Sequence, residues 1–455
     1  MNRSGQGIFP CPFFSRSVSL RRKNNQDFHE RKKMPKIIIA GGGASGMFAA
    51  ILLGQKGCSV TLLEKNEKLG KKLFITGKGR CNFTNDCTKN EFFENVVSNP
   101  RFLYSAYHCL NPQDLIRLFE SWGLKTKVER GKRAFPKSDH AYDVIDVLKK
   151  KLAEAHVRIK LNTAVTDVLT EDGRVTGVMA SEKGAAPVFY EADHVLIATG
   201  GESYPSTGSD GDGFRFASKA GISVTDRYPS LVSLNCAEEY CGEMQGLSLK
   251  NVELHVFDGK KEIFHEFGEM MFTHYGVTGP IVLTASAKIG PLIGSKTLSA
   301  YIDLKPAVSQ EMLSARFRRL FEENLNKELK NVIHELYPAL LSPVIPGAAG
   351  VNPEKKIHDI TKEERESLIR TTKHFPLTFT GRRGFDEAVI TKGGVSVREI
   401  DPRSMECKKI RGLYFIGEVL DVDALTGGFN LQIAWSTAAA AAEGIIGGIS
   451  SESCD

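Results

Sequence analysis

The chain has 455 residues, 41% hydrophobic and 25% charged, ordinary globular proportions that exclude disordered, collagen-like and coiled-coil proteins and suggest two or three domains. Its net charge of +6 arises in the first 33 residues, where Arg3, Arg16, Arg21, Arg22, Lys23, Arg31, Lys32 and Lys33 meet only Asp27 and Glu30; residues 34–455 sum to zero. A neutral body gives no electrostatic ground for DNA or RNA binding.

The basic tail, residues 1–33, reads as a dispensable extension, with a targeting arm as the alternative, because Met34-Pro35 directly precedes the first strand-like run. Its apolar stretch, residues 8–14, is short and broken by Pro10 and Pro12, unlike a signal peptide. Nine cysteines without a Cys-x-x-Cys pair fit reduced thiols in a cytoplasm rather than a disulfide framework or a zinc site, so no metal is expected. The uncharged residues 37–55 contain Gly41-Gly42-Gly43 and Gly46, which read as strand, turn and helix rather than a membrane span.

Residues 36–40 (KIIIA) form the continuous apolar run a buried parallel strand needs, followed by a helix over 44–56 and a second strand over 59–64. Asn111-Pro112 predicts a helix start running to about Trp122. Ser138-Asp139 opens another helix, with Val144, Val147, Leu148 and Leu152 on its apolar face. Short alternating strands follow over 157–190, then a buried strand ending in a glycine pair over 194–201. From about 205 to 385 strand-like runs at 249–257, 281–284 and 298–304 suggest a β-barrel-like unit. Two stretches of helical period, 309–337 and 361–374, and a Pro/Gly-rich break at 343–353 form a helical insertion in it. A strand over 412–417 and a small-residue helix over about 430–444 return to complete the first domain's sheet.

Three segments carry chemistry. Gly41-x-Gly43-x-x-Gly46 lies between a strand and a helix, and Glu64 ends the next strand. The glycines let the backbone approach a pyrophosphate at the helix N-terminus, and the acid accepts from a ribose hydroxyl. Lys65 fits a sugar contact or a solvated strand-end charge. Residues 70–85 (GKKLFITGKGRCNFTN) suit a loop wrapping a phosphate or flavin edge rather than a packed element, a plain surface loop being the alternative; Cys81 and Cys87 within it read as structural thiols. In residues 412–442 a strand delivers Glu418 and Asp421, and Thr426-Gly427-Gly428-Phe429-Asn430 opens a helix whose N-terminus suits the negative charge of a reduced flavin.

With ATGGESYPSTGSDGDGF, MFTHYGVTGP and TKGGVS, these stretches run in order from about residue 36 to 440. Together they resemble the BaiN/RdsA-type flavoproteins of the two-dinucleotide-binding-fold group. The resemblance implies an α/β fold: a Rossmann-like FAD-binding domain built from both chain ends (34–204 and 394–455), with an inserted β-barrel-like domain (205–305 and 374–393) carrying a small helical subdomain (306–373). It implies that Gly41, Gly43, Ala44, Ser45, Gly46 and Glu64 hold the adenosine diphosphate portion, and that Val165 offers backbone contacts to adenine. Arg80, Asn82, Gly200 and Glu418 would lie around the cofactor, Asp421 at the ribityl chain, and Gly428, Asn430 and Leu431 at the pyrimidine end. The activity implied is reduction of a conjugated C=C bond in a 3-oxo-steroid or bile-acid intermediate, with hydride added at the β-carbon and a proton at the α-carbon. Tyr204, His274 and Tyr275, polar aromatics inside these motifs, are candidate donors toward the enolate-like oxygen. Only one glycine fingerprint has the strand–helix setting, since Gly208–Gly213 follows a turn, so NAD(P)H is expected to dock transiently as electron donor. The alternatives are an oxidase passing electrons from a small amine or alcohol to oxygen, and an RNA-acting flavoprotein.

Overall fold

The computed structural model describes residues 34–183 and 185–451; the expectation for the basic tail lies outside them. The chain forms two compact units: the second is Tyr228–Ile390, and the first comprises the described residues up to Arg227 and from Thr391 onward.

In the first unit, β1 (Lys36–Ala40), α1 (Ala44–Gln55) and β2 (Ser59–Leu63) realise the predicted strand–turn–helix–strand start. With β3 (Arg158–Lys160), β4 (His194–Ile197) and the late strand Leu413–Phe415 they make a parallel sheet in the order Leu413–Phe415, β4, β1, β2, β3. Ile37, Ile38 and Ile39 are buried, as a strand covered on both faces requires. The C-terminal helix Phe429–Ser451 packs along α1. Phe48 of α1 meets the Trp435 ring at 5.5 Å, and the indole Nε1 donates to the Phe83 carbonyl at 2.9 Å. That bond ties the chain's last helix to the segment at 70–85.

The second unit is a closed antiparallel barrel. Its strands are β5 (Leu234–Cys236), β6 (Ser248–Asp258), β7 (Lys261–Thr273), β8 (Gly276–Thr278), β9 (Leu298–Asp303) and β10 (Phe375–Arg382). They close in the order β5-β8-β7-β6-β9-β10, with β10 pairing back onto β5. Alternation places Val252, Leu254 and Val256 of β6 in the core, while Glu253 and His255 face outward. The helices Gln310–Glu322 and Lys362–Lys373 pack together, each started by a side-chain cap: Ser309 on the first, a Thr361/Glu364 capping box on the second.

Four details differ from the sequence reading. Residues 281–284 lie not in a strand but in the helix Pro280–Ile289: Gly279-Pro280 starts it, and a helix buried nearly all round carries the same unbroken apolar run as a buried strand. Residues 70–85 are not an unpacked loop. They hold a helix, Lys71–Ile75, and a short strand, Thr84–Asn85, anchored by buried Leu73 and Phe83. The break at 343–353 contains the helix Val344–Ala348, whose Val344, Ile345 and Pro346 are buried. The division between units falls after Arg227 rather than at 205, because Phe214, Phe216 and Ala217 of the helix Asp212–Lys219 join the core of the parallel sheet.

Candidate functional site

The β1–α1 turn is shaped by close backbone approach. A Cβ on Gly41, where φ is +109°, would stand 2.4 Å from the Ala198 carbonyl oxygen, and one on Gly46 only 1.9 Å from that of Gly41. A Cβ on Gly43 would meet nothing within 4 Å. No side chain caps α1 there, so an uncapped helix start adjoins the open space at Gly43, an arrangement suited to a diphosphate. Glu64, buried at the end of β2, accepts from the Gly42 N–H at 2.7 Å and from Asn66 N and Nδ2 at 2.8 and 2.7 Å. It therefore braces the glycine turn.

The structure gives the other expected residues the following surroundings. Lys65 bridges Asp210 at 2.5 Å and Asp212 at 2.7 Å. Burial lowers its pKa, but these two carboxylates outweigh burial and raise it. Arg80 stacks 4.2 Å from the Phe135 ring centroid and bonds to Asp139 and Glu129, which hold its pKa up. Neighbouring Asn82 has a buried Oδ1 with no protein partner, as does Thr199 at its Oγ1, beside Gly200 at the end of the β4 segment. Val165 is buried on the strand Thr163–Glu171. Asp421 is pushed up by burial, against hydrogen bonds from Asn99 and Thr225. Gly428 lies against the Thr84 carbonyl, and Leu431 is half-buried against the core. Asn430 holds the preceding turn, accepting from Ala424 N at 2.9 Å and donating to its carbonyl at 2.7 Å.

Glu418 is the hub of a network that sequence reading found only in part. Its carboxylate meets Lys72 Nζ at 2.7 Å, Ser203 Oγ at 2.9 Å and the Thr391 N–H at 2.9 Å. Thr391 Oγ1 in turn accepts from the Glu202 and Ser203 N–H groups. Lys72, Ser203 and Thr391 all lie in or beside the quoted motifs, which was the available signal; their mutual contact was not.

The candidate acids fall in different units. Tyr204 belongs to the first and takes a left-handed conformation, φ +52°, ahead of Pro205. His274 and Tyr275 belong to the second and form the two-residue turn joining β7 to β8. The Tyr275 hydroxyl donates to Glu387 at 3.1 Å while Arg383 stacks on its ring at 4.3 Å. Arg383, with help from Tyr275, holds the Glu387 pKa below its usual value. Near this turn, Cys236 and Cys241 approach each other beside Glu238, a Cys-x₄-Cys pair that a search for Cys-x-x-Cys passes over.

The HI0933-like protein Rossmann domain family matches residues 35–444. The chain belongs to this family. Its members are FAD-dependent oxidoreductases. The chain is 31% identical over 415 residues to the 3-dehydro-bile acid delta(4,6)-reductase of Clostridium scindens, covering 89% of this chain and 97% of that one. It is also 31% identical over 414 residues to the ribosomal RNA dihydrouridine synthase of Escherichia coli, covering 91% and 98%. Among solved structures, 3-ketosteroid delta1-dehydrogenase from Sterolibacterium denitrificans, in complex with 1,4-androstadiene-3,17-dione, shares the fold with a TM-score of 0.51 at 14% identity, over 91% of this chain and all of that one. The HI0933-like fold and FAD fit the site on its own evidence: a glycine cradle open at Gly43, an uncapped helix start, and buried polar atoms on Asn82 and Thr199 that lack protein partners. Among the described residues no helix is long and apolar enough to cross a membrane.

Proposed function

We propose that this protein is an FAD-dependent reductase that saturates a C=C bond conjugated with a carbonyl, acting on the 3-oxo-4,6-diene ring system of a bile-acid-type steroid in the bacterial cytoplasm. The observation that carries the reading is 31% identity along almost the whole of a relative named for that reduction. On this reading Gly43, Ala44 and Ser45 hold the diphosphate of FAD through their backbone, Glu64 its ribose, and the turn around Gly428 and Asn430 the pyrimidine end. FAD, when bound, supplies the two electrons, drawn from NAD(P)H. The chain's own task is to polarise the carbonyl and deliver a proton to the α-carbon. Tyr204, His274 and Tyr275 are the donors assigned to it. Tyr204 adds a physical argument: left-handed geometry in a bulky residue costs about 1–3 kcal/mol, and such strain concentrates at working sites.

A second reading rests on a specific observation. The Escherichia coli relative named for ribosomal RNA dihydrouridine is matched at the same identity and coverage, and the 5,6 double bond of uracil is likewise conjugated with a carbonyl. The neutral body speaks for the small substrate. The test photoreduces the bound flavin without air, then adds either a 4,6-dien-3-oxo bile acid or ribosomal RNA lacking dihydrouridine. Flavin reoxidation with loss of the steroid's conjugated absorbance supports the proposal, and Tyr204→Phe and Tyr275→Phe should slow that single turnover. Reoxidation by RNA alone transfers the conclusion to the second reading. Recovery only on admitting air, with peroxide formed, refutes both in favour of an oxidase.

A further inference from the structure

On the outer face of the barrel, β6 and β7 place His255 directly opposite His265, and β9 places Tyr301 on the other side of His255. Glu253, two residues earlier, shares that face. Its Oε2 lies 3.5 Å from His255 Nε2 and 3.6 Å from His265 Nε2. These separations are too long for hydrogen bonds. They are close to the spacing of about 3.4 Å that two ligands of one tetrahedral ion adopt when metal–ligand bonds are near 2.1 Å.

The other ring nitrogen of His255 points the same way. Nδ1 lies 2.7 Å from Glu262 Oε1, and a carboxylate there takes the Nδ1–H. Nε2 then faces the carboxylate of Glu253, and a cation bound between the two would be held by both. It is the pattern of a metal-bound imidazole oriented by an outer carboxylate. Tyr301 stacks on the His255 ring at 4.5 Å and fixes it. The two imidazoles lie nearly parallel, 4.2 Å apart. Bringing both nitrogens to one ion therefore requires His265 to turn, which its side chain, 48% exposed, is free to do.

We propose that Glu253, His255 and His265 bind one divalent transition-metal ion of the zinc class, with Glu262 orienting His255. Two imidazoles and one carboxylate suit zinc, cobalt or nickel and not calcium or magnesium, which prefer all-oxygen shells. Three protein ligands leave the fourth position to water.

The test titrates the untagged full-length protein, flavin bound, with cobalt(II) and follows its visible absorption. Expected is one saturable ion per chain, displaced by zinc, with no near-ultraviolet thiolate band. His265→Ala should abolish the tetrahedral spectrum and Glu262→Gln should weaken binding about 10- to 100-fold. Cys236→Ser, which breaks the other cluster of metal-ligating groups among the described residues, should change nothing. The proposal falls if no saturable binding occurs up to about 1 mM, if His265→Ala binds as wild type, or if the bound ion shows a thiolate band that Cys236→Ser removes. His265 and Glu262 are partly exposed side chains, and an unchanged melting temperature separates lost ligation from lost folding.

Discussion

Gly43 and Gly46 stand three residues apart in the same turn, and their surroundings differ: the space beside Gly43 is open, while that beside Gly46 is filled by backbone. Gly43 is extended, with φ −81° and ψ −165°, and a Cβ there meets no protein atom within 4 Å. Gly43→Ala therefore introduces no clash, and by restricting the unfolded chain it should leave the flavin-free protein unchanged or stabilised by about 0.4–1 kcal/mol. The added methyl instead occupies the space over the uncapped helix start. Holding the diphosphate away from one charge-assisted N–H bond costs about 1.5–3 kcal/mol, or about 10- to 150-fold in FAD affinity. Gly46→Ala drives a Cβ to 1.9 Å from the Gly41 carbonyl oxygen, backbone against backbone. Its cost should reach or exceed the roughly 3 kcal/mol upper range of ordinary overpacking, with or without flavin. Urea titration of the flavin-stripped proteins, set beside FAD titration by fluorescence quenching, reads both quantities. If Gly43→Ala binds FAD as wild type, the diphosphate does not lie on α1. If Gly46→Ala unfolds as wild type, the close approach at Gly41 does not govern the turn.

Three further outcomes follow from the geometry. Glu64→Ala strips acceptors from the buried Gly42 N–H and from Asn66, so it should destabilise even the flavin-free protein by about 1–3 kcal/mol in urea unfolding; a loss of FAD affinity with unchanged stability would show that Glu64 serves the ligand alone. Trp435→Phe orphans the Phe83 carbonyl and should cost about 1–3 kcal/mol by the same assay, with no change in the flavin spectrum. Glu91 is held at a pKa of about 2 by Lys132 and by the backbone and side chain of Thr88. A depressed folded-state value gives stability that is present above pH 4.5 and lost as pH falls toward about 2. Urea midpoints across that window should fall less steeply in Glu91→Gln than in wild type, and equal slopes would rule out the Glu91 contribution.

What could be read from the chain beforehand follows the range of the forces involved. Residues 36–64 were legible because each signal is local: an apolar run long enough for a strand, glycines where backbone must touch backbone, and an acid at the next strand's end. The helix Pro280–Ile289 was not, since burial nearly all round erases the period that separates helix from strand. In residues 70–85 composition misleads: a dense set of Gly, Lys, Arg and Asn masks the two side chains, Leu73 and Phe83, that anchor the segment. The site's polar wiring was the least accessible. Lys72 and Glu418 pair across 346 residues, and Ser203 and Thr391 join them only once the parallel sheet and the returning C-terminal segment are in place. His255 and His265 meet only through the β6–β7 register, and a slip of one residue would send one of them to the opposite face. The glycine turn is thus written in neighbouring residues, while the Glu418 network and the cluster on the barrel are written in topology. Substitutions that spare the motifs but alter register should therefore change ligand chemistry before they change the fold.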